Sequence, residues 1–159
     1  FEISLFATEP TVVNPIAMDW DERGRCWVIE TPDYPNYVQE DLSGGDRISI
    51  LEDSDGDGRA DRKTVYAEGL NLPTSILKVR GGVLVTQAPD LLFLADADGD
   101  DVADDAKVLF RGFGRSDTHA GPSSLALGPD NAIWGAVGYS AYSGSDGSTF
   151  GSGLWRWSR

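Results

Sequence analysis

The chain has 159 residues, about half of them apolar once its 19 glycines are counted, and a formal net charge of −13 at pH 7; this is the size and make-up of one globular domain. A single cysteine (Cys26) excludes an internal disulfide, and with a single histidine (His119) it excludes Cys/His zinc sites and CxxCH haem attachment. No apolar run approaches ~20 residues, so no stretch predicts a membrane-spanning helix, and no basic-then-apolar leader opens the sequence.

Alternation, aromatic and β-branched content, and Gly/Asp/Pro punctuation predict short strands throughout. Phe1–Ala7, within a leading segment 1–10, reads as the outer strand of a preceding unit. A first unit over residues 14–69 has strands near Ile16–Trp20, Arg25–Glu30, Arg47–Glu52 and Lys63–Ala67. A second, over 73–112, has Ile76–Val79, Val83–Gln87, Leu91–Ala95 and Lys107–Phe110. A third, over 122–159, begins with Ser124–Leu127 and Ala132–Val137 and continues through Gly153–Trp157. No segment has a 3.6-residue period with helix caps, so little helix is expected.

The units are related. Moving Ile50-Leu51-Glu52-Asp53-Ser54-Asp55-Gly56-Asp57 forward by 43 positions gives Phe93-Leu94-Ala95-Asp96-Ala97-Asp98-Gly99-Asp100, and Ala60, Asp61, Val65 and Gly69 fall on Ala103, Asp104, Val108 and Gly112. Pro15 to Trp27 and Pro122 to Trp134 are both 12 residues apart. A self-similar unit of ~40–45 residues with four short strands marks a β-propeller blade. The fold class expected is therefore all-β: a partial propeller of roughly two and a half to three blades, part of a larger ring. The alternative is a self-contained β-sandwich with a duplicated hairpin. The chain opens at Phe1 without Met, which reads as a piece of a longer protein whose targeting is unobserved.

Ten of the 26 acidic residues lie in two stretches, Asp53 to Asp61 and Asp96 to Asp105, and without those ten the net charge is −3. Local acidity favours cation capture and argues against a nucleic-acid partner, which needs a basic footprint. Asp53, Asp55, Asp57 and Asp61 stand at positions one, three, five and nine of a calcium-type loop, with Gly58 at the turn position and the Arg59 carbonyl at position seven. Thr64 replaces the closing Glu of an EF-hand, so a sensor is not expected. Asp96, Asp98, Asp100 and Asp104 repeat the spacing, but Asp101 occupies the glycine place, which ranks this loop weaker. The alternative for both is a solvated hairpin tip. Both join the third and fourth strands of a unit, whereas His119 lies in the link between units, at the opposite end of antiparallel sheets. Calcium is therefore expected to be structural.

The link Arg111-Gly-Phe-Gly-Arg115-Ser-Asp117-Thr-His119-Ala-Gly121-Pro122 carries the only imidazole, a nearby carboxylate and two guanidinium groups. Imidazole suits proton transfer near neutral pH, although a lone loop histidine is more often structural. Four segments carry a resemblance: Asn14-Pro15-Ile16-Ala17-Met18, Glu30-Thr31-Pro32-Asp33-Tyr34-Pro35-Asn36, Ala67-Glu68-Gly69-Leu70-Asn71-Leu72-Pro73-Thr74-Ser75, and Gly114-Arg115-Ser116-Asp117-Thr118-His119-Ala120-Gly121-Pro122. They resemble the membrane-bound dehydrogenase propellers of large, often haem-fused bacterial proteins. That family is similar in turn to the soluble pyrroloquinoline-quinone glucose and aldose dehydrogenases, which have six blades.

The resemblance implies that His119, preceding Leu125-Ala-Leu-Gly128-Pro129-Asp130 with a gap one residue longer than in the quinone enzymes, is the general base on a sugar or alcohol hydroxyl. It implies that Asp117 orients the imidazole and Arg115 faces an anionic cofactor carboxylate. The remaining implied elements are pyrroloquinoline quinone or a haem-linked acceptor, partner blades, a haem c module and an extracytoplasmic, periplasmic location. In those enzymes most cofactor ligands come from later blades, so this piece alone is expected to be inactive. Two other readings remain: a binding propeller using Tyr34, Tyr139, Tyr142 and Trp27 for carbohydrate or protein, although Trp27 and Trp134, at repeat-equivalent positions, read as core, and a calcium-dependent lactone hydrolase. Serine hydrolysis is disfavoured, since Gly138-Tyr-Ser140-Ala-Tyr142 lacks the second glycine of a nucleophile elbow.

Overall fold

The computed structural model describes residues 1–35 and 39–158; Asn36 of the second resemblance segment and Arg159 of the third unit lie outside the described residues. The described residues are all-β, and among them no helix is long and apolar enough to cross a membrane. Strands β1 (Pro15–Trp20), β2 (Cys26–Glu30), β3 (Asp46–Glu52) and β4 (Arg62–Leu70) form one antiparallel meander. Strands β5 (Ser75–Val79), β6 (Gly82–Gln87), β7 (Asp90–Ala95) and β8 (Asp105–Arg111) form a second. In the third sheet β10 (Ile133–Val137) pairs with both β9 (Pro122–Leu127) and β13 (Gly153–Trp157). A small hairpin, β11 (Tyr142–Ser143) with β12 (Thr149–Phe150), interrupts that sheet's chain path. Among the described residues no sheet closes on itself. Every strand expected between Ile16 and Trp157 forms, within three residues at either end.

The sheets stack because each strand alternates its buried side chains between two faces. Trp27, Ile29, Ile48, Ile50 and Tyr66 of the first sheet meet Ile76, Val83, Val85, Leu92 and Leu94 of the second. The second sheet's other face, with Leu84, Leu91 and Phe93, packs on Leu125, Ile133, Val137 and Trp155. The middle sheet is thus covered on both sides, which makes three layers rather than the two of a sandwich. Strand β1 lies against β5, and β5 against β9. The contact is stitched by the Lys78 amide donating to Asp19 (2.7 Å) and the Leu125 amide donating to Ser75 (2.9 Å). Farther out, Val65, Glu68, Val102 and Asp105 line an open cleft of about 460 Å³ between the first two sheets.

Phe1–Ala7 pairs with no strand among the described residues. Its one ladder-like bond is informative: the Ala60 amide donates to the Phe6 carbonyl (2.9 Å), just as the Ala103 amide donates to Tyr66 of β4 (2.8 Å). Ala60 and Ala103 are the repeat-equivalent pair, so Phe6 stands toward the first sheet as an outermost strand stands toward the second.

Candidate functional site

At one end of the sheets lie the two aspartate loops, built on the same bonds. In the first, Asp53 Oδ1 accepts the Gly56 amide (2.7 Å) and its Oδ2 accepts that of Gly58 (2.8 Å), while Asp57 accepts the Arg59 amide (2.8 Å). In the second, Asp96 accepts the amides of Gly99 (2.7 Å) and Asp101 (3.2 Å), and Asp100 that of Val102 (2.9 Å). Asp61 and Asp104 each close their loop by accepting the amide of its second residue, Ser54 (2.9 Å) and Ala97 (2.7 Å). The Gly58, Gly56 and Asp57 amides hold the Asp53 carboxyl below the usual carboxylate range, and the Ser54 hydroxyl and amide do the same for Asp61.

The carboxylate oxygens of Asp53, Asp55 and Asp57 converge within 4.8 Å of one another, as do those of Asp96, Asp98 and Asp104. Asp61 is outside the first cluster and Asp100 outside the second. Hard oxygen donors at that span match the ~2.3–2.6 Å Ca–O distance on either side of a calcium ion. Of Arg59 the structure shows the amide bond to Asp57.

The glycine place of the second loop is filled by Asp101 at φ 69°, where Gly58 has φ 88°. Aspartate tolerates this left-handed region better than most residues. Its side chain has a partner across the sheet interface. Arg25 Nη1 and Nη2 donate to its two oxygens (2.6 and 2.9 Å), and Arg25 Nε donates to Asp21 (2.8 Å). The Arg25 pair draws the Asp101 carboxyl below its ordinary range. Spacing alone did not reveal this clamp, because its partners are 76 residues apart.

The histidine link lies at the other end. His119 shares a cleft of about 210 Å³ with Ile16, Tyr34, Leu72, Thr74 and Pro122, at the entries of β1, β5 and β9. Asp117 Oδ1 accepts the His119 amide (2.7 Å) and lies 3.0 Å from the ring Nδ1. The Tyr139 hydroxyl donates to Asp117 Oδ2. That hydroxyl first, and then the His119 amide and ring, keep the Asp117 carboxyl below the usual range. The Tyr34 ring meets the imidazole edge-on, centroids 5.7 Å apart. Arg115 donates to the Gln39 carbonyl (2.7 Å), so this cation is engaged with the chain.

Asp46, wholly buried, accepts the amides of Asp33 (3.0 Å) and of Leu72 (2.6 Å), and Leu72 lines the cleft. Burial pushes the Asp46 carboxyl up. Neither Asp46 nor the Tyr139 bond follows from local spacing. Trp27 is core, Tyr142 packs on Phe113, Tyr34 borders the histidine and Tyr139 bonds the histidine's partner Asp117.

With this arrangement in view, the chain matches over residues 1–158 a family described as a domain of unknown function, DUF7133, and it belongs to that family. No curated protein matches it.

Proposed function

We propose that the chain is a run of consecutive β-propeller blades carrying the proton-accepting part of an alcohol or sugar dehydrogenase site, with calcium stabilising the acidic rim. The propeller reading is supported by the 43-residue repeat, the adjacency of β1, β5 and β9, and the equivalent Ala60–Phe6 and Ala103–Tyr66 bonds. The function rests on one observation above all: a carboxylate-held imidazole opens on the cleft where the links between sheets meet.

An ionised carboxylate only accepts hydrogen bonds, so the ring nitrogen facing Asp117 carries the proton and Nε2 is left as the basic nitrogen. Nε2 would take the substrate hydroxyl proton while the carbinol C–H leaves as hydride to a two-electron acceptor held outside this chain, and Asp117 would stabilise the imidazolium formed. The resemblance implies a quinone acceptor, but the cleft does not fit one: apart from His119 its lining is apolar or hydroxyl-bearing, with no cation for the quinone's carboxylates, and Arg115 is not part of it. What this chain supplies is proton acceptance alone. Calcium would be held by Asp53, Asp55 and Asp57 and by Asp96, Asp98 and Asp104. At the end remote from His119 it is a structural ion, and the reading places the protein in a calcium-rich, extracytoplasmic setting.

The test is dye-linked oxidation of a panel of sugars and alcohols by a protein carrying this chain together with the remaining blades. His119→Ala should lower kcat by about 10²–10⁴-fold. Unchanged turnover in that variant, or a protein that binds no redox cofactor, overturns the assignment. Lactone hydrolysis without any acceptor would replace it with a hydrolase.

A further inference from the structure

The turn after β10, Gly138-Tyr139-Ser140-Ala141, is zipped to the histidine link by main-chain bonds. The Gly138 amide donates to the Ala120 carbonyl (3.1 Å), and the Gly114 amide to the Ala141 carbonyl (3.0 Å). Both glycines are required by closeness: a Cβ on Gly138 would lie 2.9 Å from the Ala120 carbonyl oxygen, and one on Gly114 would lie 1.8 Å from that of Ser140. The Ser140 hydroxyl adds a bond to the Asp117 carbonyl (3.2 Å). Two loops well separated in sequence are thereby fixed against each other, and Tyr139 is carried to the carboxylate of Asp117, 22 residues away.

Tyr139 is 65% exposed, so its ring contributes little to the core. Its hydroxyl takes Asp117 Oδ2, leaving Oδ1 for the His119 amide and ring. A carboxylate free to rotate would offer either oxygen, or water, to the imidazole. One tied at Oδ2 presents Oδ1 in a fixed direction. The other groups around the ring leave this arrangement intact: Tyr34 approaches edge-on from the connection between β2 and β3, and Arg115 is turned to Gln39. The geometry points to Tyr139 as a positioning residue: it locks Asp117, and through Asp117 it holds His119 as the Nδ1–H tautomer with Nε2 unprotonated. This rests on reading His119 as the base only for its consequence in turnover; the tautomer itself is a property of the chain.

Because His119 is the only histidine, its ring nitrogens give unambiguous signals in multiple-bond ¹H–¹⁵N NMR of the 159-residue protein, recorded where the ring is neutral. The Nδ1–H form should dominate, although neutral imidazole in water favours Nε2–H. Tyr139→Phe keeps the exposed ring and removes only the hydroxyl; it should at least halve the Nδ1–H share. Asp117→Ala should move the ring to the Nε2–H form. A Tyr139→Phe protein with the parent's tautomer ratio overturns the proposal, as does a parent dominated by Nε2–H. These outcomes are separable from the dehydrogenase reading. Failure of dye reduction leaves the tautomer shift standing, whereas an unmoved tautomer beside a strong His119→Ala defect removes Tyr139 alone.

Discussion

The first and second sheets are two versions of one unit, and they differ where each meets its neighbours. Their aspartate loops repeat the same carboxylate-to-amide bonds with matching partners. Their buried charges do not repeat. In the first sheet Glu30 is wholly buried and accepts from Arg47 (3.0 Å), Lys63 (2.7 Å), Ser49 (2.6 Å) and the Val13 amide (2.8 Å). In the second, the place opposite Asp90 that matches Glu30 opposite Arg47 is held by the neutral Gln87, and Asp90 pairs with Arg111 (2.6 Å). The loop geometry is set by the main chain and tolerates copying. The charge pattern answers to which strand, link or loop lies alongside, and each sheet has different neighbours.

The clamp on Asp101 is where breaking the asymmetry should cost most. Arg25→Ala leaves Asp21, whose side chain is 2% exposed, buried without its cation; breaking a pair of this kind costs about 3–5 kcal/mol. Asp101→Ala should cost less, because that side chain is 22% exposed and its loss strands no buried acid. Chemical denaturation of the two single variants and the double variant gives the coupling between the sheets. Additive losses would mean that the clamp does not join them.

Glu30 sharpens the comparison through pH. Burial opposes its ionisation, but Arg47, Lys63, Ser49 and the Val13 amide together lower its pKa from an ordinary 4.5 to about 2. A depressed carboxyl contributes stability that is fully present above the unfolded value and is lost as pH falls from about 4.5 to about 2, an effect of order 3 kcal/mol. Glu30→Gln should therefore be destabilised by roughly that amount near pH 7, with the gap to the parent narrowing across that acid window. Gln87, which has no charge to lose, should give no such pH-dependent gap when changed to Leu. Parallel pH profiles for the parent and Glu30→Gln would show that the two sheets are not distinguished in this way.

The sheets were legible in the sequence because alternation and the 43-residue repeat are local signals, each contained within one strand or hairpin. The hairpin β11–β12 was not. Its strands have two residues each, their connection is rich in Gly and Ser, and stacking of Tyr142 on Phe150 (4.8 Å) brings them together. The candidate site divides in the same way. Ligand spacing within nine residues placed Asp53, Asp55 and Asp57 together, and the His119–Asp117 pair needed only positions two apart. The bonds from Arg25 to Asp101 and from Arg115 to Gln39 each span 76 residues, and that from Tyr139 to Asp117 spans 22. Such contacts exist only after the sheets stack. For the same reason Asp101, which spacing rules count against its loop, turns out to have a structural partner.

The last test asks whether that partner also makes the two loops unequal toward calcium. A ligand that binds only the folded chain stabilises it by about 2.7 kcal/mol at a hundredfold excess over its dissociation constant. Chelation should lower the parent's melting temperature accordingly. Asp55→Ala and Asp98→Ala, each removing a carboxylate from one cluster, should lower it in calcium and converge on the parent when the ion is withdrawn. The first loop has Gly58 at its turn, whereas the second is held at Asp101 by Arg25, an anchor on the neighbouring sheet. Ion release from the second loop should therefore loosen the contact between the first two sheets, and the Asp98→Ala loss should shrink in an Arg25→Ala background. The Asp55→Ala loss should be the same with or without Arg25. Equal melting of the parent with and without chelator removes calcium from both loops. Independence of Asp98→Ala from Arg25 would leave the loops alike in their ions and different only in their anchors.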